Sequence, residues 1–220
     1  MKAIIFDLDN TIMDFMKMKR GCTDAAISAM IKAGLNMNYE DASKKIFELY
    51  EEKGIEKQDI FEDLLMEVNG EMDYKILIKG VLAYRKVRDA YMECYPGVRR
   101  TLEKLKEKGL KLAIVSDAPS RQAWIRLCSL EIENFFDVVV AHEETGKFKP
   151  NKEPFEIALN KLGVSAEECV MVGDHPDRYV KGANSLGMVS VLAQYGQRFE
   201  SEEKADHVIQ KFEELLRIVE

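Results

Sequence analysis

The stretch Met1-Lys-Ala-Ile-Ile-Phe-Asp-Leu-Asp-Asn-Thr11 combines a short apolar run with two acids. The run Ala3–Phe6 has the length and composition of a strand that is buried on both faces. Asp7 and Asp9 follow it directly, and they would lie on the same side of the chain if the backbone stays extended there. Because two close carboxylates repel each other, this stretch predicts a cation or a shared proton at the end of the strand.

The composition is that of a globular protein. Of the 220 residues, 46% are hydrophobic and 32% are charged, and the chain is long enough for a core domain with a smaller companion. A net charge of -7 without a sustained basic run argues against a nucleic-acid partner. No segment resembles a signal peptide or reaches the length of a membrane span, so no membrane association is expected.

The four cysteines are scattered, and none of them forms a CxxC pair. This pattern argues against a short-spaced zinc motif and favours a reduced, cytoplasmic protein. No protein partner is predicted from the sequence.

Apolar residues between positions 14 and 94 recur at helical spacing in four successive stripes. Tyr95-Pro96-Gly97 then marks a boundary, after which short apolar strands alternate with helices. The alternation predicts an α/β core, residues 1–13 and 95–220, with a doubly wound, mostly parallel, Rossmann-like sheet. Residues 14–94 are expected to form an α-helical domain inserted after the first strand.

The predicted elements of the core alternate along the chain. The strands are predicted over Ala3–Phe6, Leu110–Val115, Asp137–Ala141, Cys169–Val172, Val189–Leu192 and His207–Ile209. The helices between them are predicted over Val98–Lys108, Arg121–Leu130, Pro154–Leu162 and Asp177–Leu186.

Polar side chains follow three further predicted strands, namely Ser116, Lys149 and Asp174. The carboxyl ends of parallel strands meet at one edge of a sheet, so these residues are expected to join Asp7 and Asp9 in a single pocket. Three carboxylates, a hydroxyl group and a lysine are suitable for binding Mg²⁺ together with a phosphoryl group.

The segments Asp7-Leu-Asp9-Asn-Thr11, Ser116, Lys149-Pro150 and Gly173-Asp174 resemble, in this order, the four motifs of the haloacid dehalogenase (HAD) superfamily. The helical insertion resembles the subgroup that carries a cap domain after the first motif, and the resemblance extends over essentially the whole chain. Within the superfamily, the sequence is similar to phosphoglycolate phosphatases and to archaeal glyceraldehyde-3-phosphate phosphatases. The resemblance implies a phosphatase that acts on a small phosphorylated metabolite and uses Mg²⁺ as its cofactor.

The resemblance also implies a role for each residue of the motifs. Asp7 would attack phosphorus and form an aspartyl-phosphate, while Asp9 would act first as a general acid and then as a general base. The Asp7 carboxylate, the Asp9 backbone carbonyl and Asp174 would hold Mg²⁺. The residues expected to bind the phosphoryl oxygens are Thr11, Ser116 and Lys149.

The sequence departs from the family pattern after Asp174. A second acid is common in the family at GDxxxD or GDxxxxD spacing, where this chain has Arg178 and Tyr179. Asp177 lies one step earlier and is an additional candidate for supporting the metal; otherwise water fills that role. His175 is expected at the edge of the pocket and not as a ligand, because Mg²⁺ prefers oxygen.

Three other functions remain open on the same core. A phosphomutase would retain the phosphoryl group and transfer it to a sugar. A 2-haloacid dehalogenase is disfavoured by Asp9, because a halide leaves without needing a proton. A catalytically silent binding protein is disfavoured because the acids and Lys149 are all present.

Two further roles are expected outside the motifs. Asp117 is expected to cap the helix that begins near Pro119. Lys17, Lys19 and Arg20 are expected to be solvated at an exposed helix end, although they are also candidates for contacting an anionic substrate.

Overall fold

The computed structural model describes residues 1–219 and divides the chain into two compact units. The first unit, here called the core unit, consists of Met1–Phe15 together with the chain from Glu93 onward. The second, here called the helical unit, consists of Met16–Met92.

The core unit is built on a sheet of parallel strands. In the part of the chain that the structure describes, the strands are β1 (Ala3–Phe6), β2 (Lys111–Val115), β3 (Val138–Val140), β4 (Cys169–Gly173), β5 (Val189–Ala193) and β6 (His207–Ile209). Their order in the sheet is β3-β2-β1-β4-β5-β6, and every neighbouring pair is parallel. The predicted doubly wound α/β sheet is therefore confirmed.

The central strand of this sheet is β1. Ala3 lies opposite Lys111 in β2 on one side and opposite Cys169 in β4 on the other. The chain thus builds one half of the sheet outward through β2 and β3, and then returns past β1 to build the other half. Such a switch in strand order opens a crevice at the carboxyl ends of the central strands, where ligands bind in folds of this type.

The helices within residues 1–219 follow the predicted alternation. They are α1 (Phe15–Ala33), α2 (Tyr39–Lys53), α3 (Ile60–Asn69), α4 (Tyr74–Tyr91), α5 (Val98–Glu107), α6 (Ser120–Ser129), α7 (Glu153–Leu162), α8 (Lys181–Leu186) and α9 (Leu215–Ile218). The predicted helix Asp177–Leu186 is helical throughout, although its first half belongs to a π-helical turn over Pro176–Val180 that continues into α8. That wider turn directs Tyr179 and Val180 inward, and both side chains are buried.

Both faces of β1 are covered by apolar side chains. On one face, Phe6 stacks on Phe212 at a ring-centroid distance of 5.6 Å and meets Phe136 edge-on at 6.3 Å. On the other face, Ile5 belongs to a buried cluster that includes Phe155 of α7. Because β1 is fully buried between these layers, its end holds Asp7 at a fixed position.

The helical unit has a core of its own. Ile46, Leu64 and Leu65 are among the fully buried side chains of this core. Two of its helices begin at side-chain caps, since Asn38 accepts a hydrogen bond from the backbone of Asp41, and Asp73 accepts from the start of α4. None of the helices within residues 1–219 is long and apolar enough to cross a membrane.

Lys19 in this unit is not the solvated residue that the sequence predicted. Its exposed fraction is 5%, and its ammonium group lies 4.2 Å from the ring centroid of Tyr50 and 5.9 Å from that of Tyr84. The aromatic rings attract the cation and shield it from water, which explains how a lysine is accommodated inside the helical unit.

Candidate active site

Asp7 lies at the carboxyl end of β1 with 1% of its surface exposed. Its backbone N–H donates to the carbonyl of Val172 at 2.9 Å, so the ladder between β1 and β4 continues up to the carboxylate. Thr11 donates to Asp7 Oδ2 and Lys149 donates to Asp7 Oδ1, both at 3.2 Å. Burial raises the pKa of Asp7, and Lys149 and the Tyr179 hydroxyl group oppose that rise.

Lys149 joins the ends of two strands. Its ammonium group donates to the carbonyl of Val115 at 2.6 Å as well as to Asp7, and its side chain is fully buried. Asp117 lies 3.8 Å from the same nitrogen. A buried ammonium group requires such acceptors, and their positions direct its charge at the end of β1.

Tyr179 forms the wall of the pocket beside this pair. The ring centroid lies 4.5 Å from the Lys149 ammonium nitrogen, and the hydroxyl group interacts with Asp7. Gly173 makes room for the ring, because a Cβ at that position would lie 2.4 Å from the ring atoms of Tyr179. The glycine that precedes Asp174 is therefore required by the tyrosine that follows it.

Asp174 provides a second buried carboxylate at the end of β4, with 4% of its surface exposed. Its pKa is raised to about 8, first by burial and then by the negative charges of Asp7 and Asp9. The structure thus brings Asp7 and Asp174 close enough for the charge of one to affect the pKa of the other, as the sequence predicted.

Thr11 and Ser116 were predicted to bind phosphate. Thr11 is fully buried, and its hydroxyl group donates to Asp7, which favours a role in orienting that carboxylate. Ser116 lies at the end of β2 with 4% of its surface exposed, and its hydroxyl oxygen accepts a hydrogen bond from the backbone of Ala118. The Ser116 hydroxyl proton is not used in that bond and is therefore suited to an anionic oxygen.

Asp9 contacts a residue that the sequence did not indicate. Arg126 of α6 donates from Nη1 to Asp9 Oδ2 at 2.7 Å, and 3% of the arginine surface is exposed. The guanidinium carbon lies 4.5 Å from the ring centroid of Phe15. Within the predicted helix Arg121–Leu130, no sequence signal distinguishes this arginine from a solvated one.

Asp117 does not cap the helix as predicted. The N-cap of α6 is Pro119, without a side-chain hydrogen bond. Asp117 Oδ1 instead accepts from the backbone N–H of Lys149 at 3.1 Å, and Oδ2 lies 3.5 Å from Arg178 Nη1. Asp117 thereby connects the end of β2 to the loop that carries Lys149, a role that only the tertiary fold shows.

Asp177 and His175 lie in the turn after β4, where Asp177 is exposed and His175 is half-buried. Asp177 is exposed, and its Oδ1 accepts a hydrogen bond from Ser201 at 2.7 Å. The ring of His175 stacks on Phe199 at a centroid distance of 4.6 Å. The contacts of Asp177 are those of a residue that ties the turn after β4 to the loop after β5.

The loop after β5 supports the Asp9–Thr11 segment. The hydroxyl group of Tyr195 donates to the backbone carbonyl of Thr11 at 2.8 Å. A Cβ at Gly196 would lie 1.7 Å from the carbonyl oxygen of Asn10. Asn10 itself adopts the left-handed conformation, with a φ of 59°. Only glycine permits the two backbones to approach this closely.

The buried charges are suitable for a divalent cation. Asp7 and Asp174 are both buried acids, and Lys149 is the buried cation that contacts one of them. Burial, and then the negative charges of Asp7 and Asp9, raise the pKa of Asp174, so an adjacent cation would favour its ionised form. Among residues 1–219, no three His, Cys, Asp or Glu side chains form a metal site by themselves.

Comparisons with known proteins agree with this geometry. Residues 4–193 match the sequence profile of the family described as haloacid dehalogenase-like hydrolase. The glyceraldehyde 3-phosphate phosphatase of Methanocaldococcus jannaschii is 37% identical, and the match covers 99% of this chain and 96% of that protein. The glyceraldehyde 3-phosphate phosphatase of Pyrococcus furiosus is 33% identical, with coverage of 100% and 93%.

Solved structures resemble the chain over its whole length. The HAD phosphatase from Thermococcus onnurineus gives a TM-score of 0.72 at 25% identity, covering 100% of this chain and 98% of that one. A putative beta-phosphoglucomutase from Thermotoga maritima gives a TM-score of 0.79 at 27% identity, with the same coverage of 100% and 98%.

Proposed function

This chain belongs to the haloacid dehalogenase-like hydrolase family, and we propose that it is a Mg²⁺-dependent phosphatase that acts through an aspartyl-phosphate at Asp7. Family membership makes the protein a hydrolase, and its similarity to phosphatases over the full chain supports activity on small phosphate substrates. The observation that carries the proposal is the buried pair of Asp7 and Lys149 beside Asp174, at the carboxyl ends of the central strands.

Asp7 is suited to act as the nucleophile. Thr11 and Lys149 each bind one of its oxygens, which fixes the plane of the carboxylate. The Lys149 ammonium group favours the ionised form of Asp7, and it would also stabilise negative charge on the phosphoryl oxygens in the transition state. Attack of an Asp7 oxygen on phosphorus forms the aspartyl-phosphate and breaks the bond to the leaving alcohol oxygen.

Asp9 is suited to move protons in both half-reactions. In the first, its carboxyl group donates a proton to the departing alkoxide. In the second, its carboxylate takes a proton from water while the water oxygen attacks phosphorus, which releases phosphate and restores Asp7.

Mg²⁺ would be held by the carboxylates of Asp7 and Asp174 and by the backbone carbonyl of Asp9. When bound, the metal supplies positive charge that offsets repulsion between the phosphoryl group and the buried acids. The raised pKa of Asp174 supports this assignment, because a carboxyl group that resists ionisation in the buried site becomes ionised when a cation is adjacent. Asp177 supports the turn and would contribute to the metal only through water.

We infer that the substrate is a short phosphorylated metabolite of the glyceraldehyde 3-phosphate type. The support is the identity of 37% with the enzyme from Methanocaldococcus jannaschii over almost the full length of both chains. The helical unit remains the predicted cap domain that selects the substrate.

The proposal is tested with a panel of small phosphate esters, including glyceraldehyde 3-phosphate, in the presence of Mg²⁺ and of a chelator. We expect phosphate release that disappears with the chelator, returns when Mg²⁺ is restored, and falls by at least about 10³-fold in Asp7→Asn. Asp137→Asn is the matched control, since Asp137 directly precedes the edge strand β3, at its amino end, and binds Lys106 and the backbone N–H of Leu112. Near-normal turnover by Asp7→Asn would refute the assignment of the nucleophile.

The phosphomutase alternative is separated by the products. A mutase returns the phosphoryl group to a sugar phosphate, whereas the proposed enzyme releases inorganic phosphate at the same rate as alcohol. Release of halide from 2-haloacids, without phosphate release from any ester, would favour a dehalogenase.

A further inference from the structure

Arg126 is a buried arginine at a place where the proposed mechanism assigns it no task. Its surface is 3% exposed, and its Nη1 donates to Asp9 Oδ2 at 2.7 Å. Burying a guanidinium group is costly unless the charge is paired, and a pair at this distance is an ion pair with a strong hydrogen bond. The contact joins α6 to the loop after β1, two elements that are far apart in the sequence.

Two contacts restrict the orientation of the arginine. The guanidinium carbon lies 4.5 Å from the ring centroid of Phe15, so the planar group is held against an aromatic side chain that is itself buried. The far end of α6 is held in turn by Arg99, which donates to the backbone carbonyls of Leu130 and Glu131 at 2.8 and 2.9 Å. The helix therefore presents Arg126 to Asp9 from a rigid support.

The contact determines how the Asp9 carboxyl group is oriented. The guanidinium group is itself held by Phe15 and α6, and its hydrogen bond to Oδ2 therefore restricts rotation of the Asp9 carboxyl plane. The direction of Oδ1 is thereby set as well. Proton transfer requires this kind of control, because a general acid works only within hydrogen-bonding reach of the reacting oxygen.

We propose that Arg126 is a positioning residue that holds the Asp9 carboxyl group in place for proton transfer. The inference rests on the proposed function, in which Asp9 gives its proton to the leaving alkoxide and later takes one from water. Arg126 gives and takes no proton in either step; it stays bound to Asp9 Oδ2, and the proton that Asp9 gives and takes is carried at Oδ1. Its effect on the rate passes entirely through Asp9.

The first test compares leaving groups that differ in their need for a proton. Single-turnover release of the alcohol is measured for an alkyl phosphate and for 2,4-dinitrophenyl phosphate, with Mg²⁺ present. We expect Arg126→Met to slow the alkyl ester at least about 10-fold more than the aryl ester, because dinitrophenolate leaves without protonation. Arg126→Lys keeps the positive charge but loses the planar guanidinium group with its several N–H donors, and we expect an intermediate effect in the same direction.

The second test is a double-mutant cycle with Asp9→Asn. If Arg126 acts through Asp9, Arg126→Met should slow the alkyl ester by less than about 2-fold in the Asp9→Asn background. Arg99→Met is the matched control, since it removes an arginine that binds the end of α6 without touching Asp9. It should lower thermal stability and leave the ratio of the two ester rates unchanged.

The outcomes separate the inference from the proposed function. Equal slowing of both esters by Arg126→Met and Arg126→Lys, or a full additional loss in the Asp9→Asn background, would show a purely structural arginine and overturn the inference. If Asp9→Asn itself shows no dependence on the leaving group, the acid role of Asp9 fails and the role of Arg126 fails with it. A leaving-group effect in Asp9→Asn alone would leave the proposed function intact and refute only the inference.

Discussion

At the scale of single residues, the ammonium group of Lys149 contacts the ends of both β1 and β2. Its acceptors are the Asp7 carboxylate and the Val115 carbonyl, and the ring of Tyr179 covers it. Since the lysine is fully buried, these contacts replace all of its hydration. The stability of the site and its reactivity therefore depend on the same ion pair.

Lys149→Met is expected to lower the free energy of unfolding by about 3 kcal/mol, because it leaves the buried Asp7 carboxylate without its cation. Phosphate release should fall as well. The free energy of unfolding is measured by urea titration of the metal-free protein. The double variant Lys149→Met/Asp7→Asn removes both charges and should regain part of the lost stability. A double variant less stable than Lys149→Met alone would contradict this account.

Residues at strand ends were predictable from the sequence, and residues brought in by tertiary packing were not. Asp7, Lys149 and Asp174 could be placed together because the carboxyl ends of parallel strands converge. Tyr179 could not, because its position depends on the π-helical turn and on the space above Gly173. The position of Arg126 could not be predicted from the sequence either, since a charged residue in an amphipathic helix is ordinarily solvated.

At the scale of elements, the loop after β5 supports the loop after β1. Tyr195 binds the backbone of Thr11, and Gly196 packs against the backbone of Asn10. Neither contact involves a side chain of the proposed chemistry. The loop after β5 is thus expected to determine where the Asp9–Thr11 turn lies.

Gly196→Ala should displace that turn, because the added Cβ would meet a backbone oxygen at 1.7 Å and neither chain can rotate away. We expect a loss of about 2 kcal/mol in stability, together with a fall in kcat. Thermal unfolding and steady-state kinetics measure the two effects. Gln194→Ala, an exposed change on the same loop, should alter neither. If Gly196→Ala kept wild-type stability and kcat, the loop after β5 would have no supporting role.

The predicted strands agree with the observed ones to within one residue at each end, and β1 agrees at both ends. The buried apolar runs restrict the register of the strands, because a shift of one residue would turn every side chain of a strand to the other face of the sheet. The helix predicted from Asp177 begins as a π-helical turn, and that wider turn buries Tyr179 and Val180. Helical spacing alone does not distinguish an α-turn from a π-turn.

At the scale of the whole molecule, the buried acids make stability depend on pH. The pKa of Asp174 is raised from 3.8 to about 8 by burial and by the charges of Asp7 and Asp9. Between these values the folded protein holds a proton that the unfolded chain has released. The stabilisation is therefore complete below 3.8 and is lost as the pH rises through about 8. Asp137 and Glu168 have lowered pKa values, so the stability that they contribute is lost as the pH falls and not as it rises.

The metal-free protein is therefore expected to lose stability as the pH rises from about 4 to about 8, measured by urea titration in chelator. Mg²⁺ should reverse the trend, because it binds the ionised carboxylates in competition with protons. The rise in Tm on adding Mg²⁺ should accordingly be larger at the alkaline end of this range. Asp174→Asn should flatten the slope and weaken the response to Mg²⁺. A slope that is unchanged in Asp174→Asn would assign the effect to other groups.

The central position of β1 has a consequence for how the chain folds during synthesis. Ala3 pairs with Lys111 and Cys169, so β1 cannot form its pairs until β2 and β4, which are synthesised much later, are available. The helices of Met16–Met92 pack mainly on their sequence neighbours, and such low contact order favours early folding. During that interval the apolar run Ala3–Phe6 lacks the strands that it pairs with in the folded sheet. The side chains of Asp7 and Asp174 can therefore come together only after β4 has been made and has paired with β1.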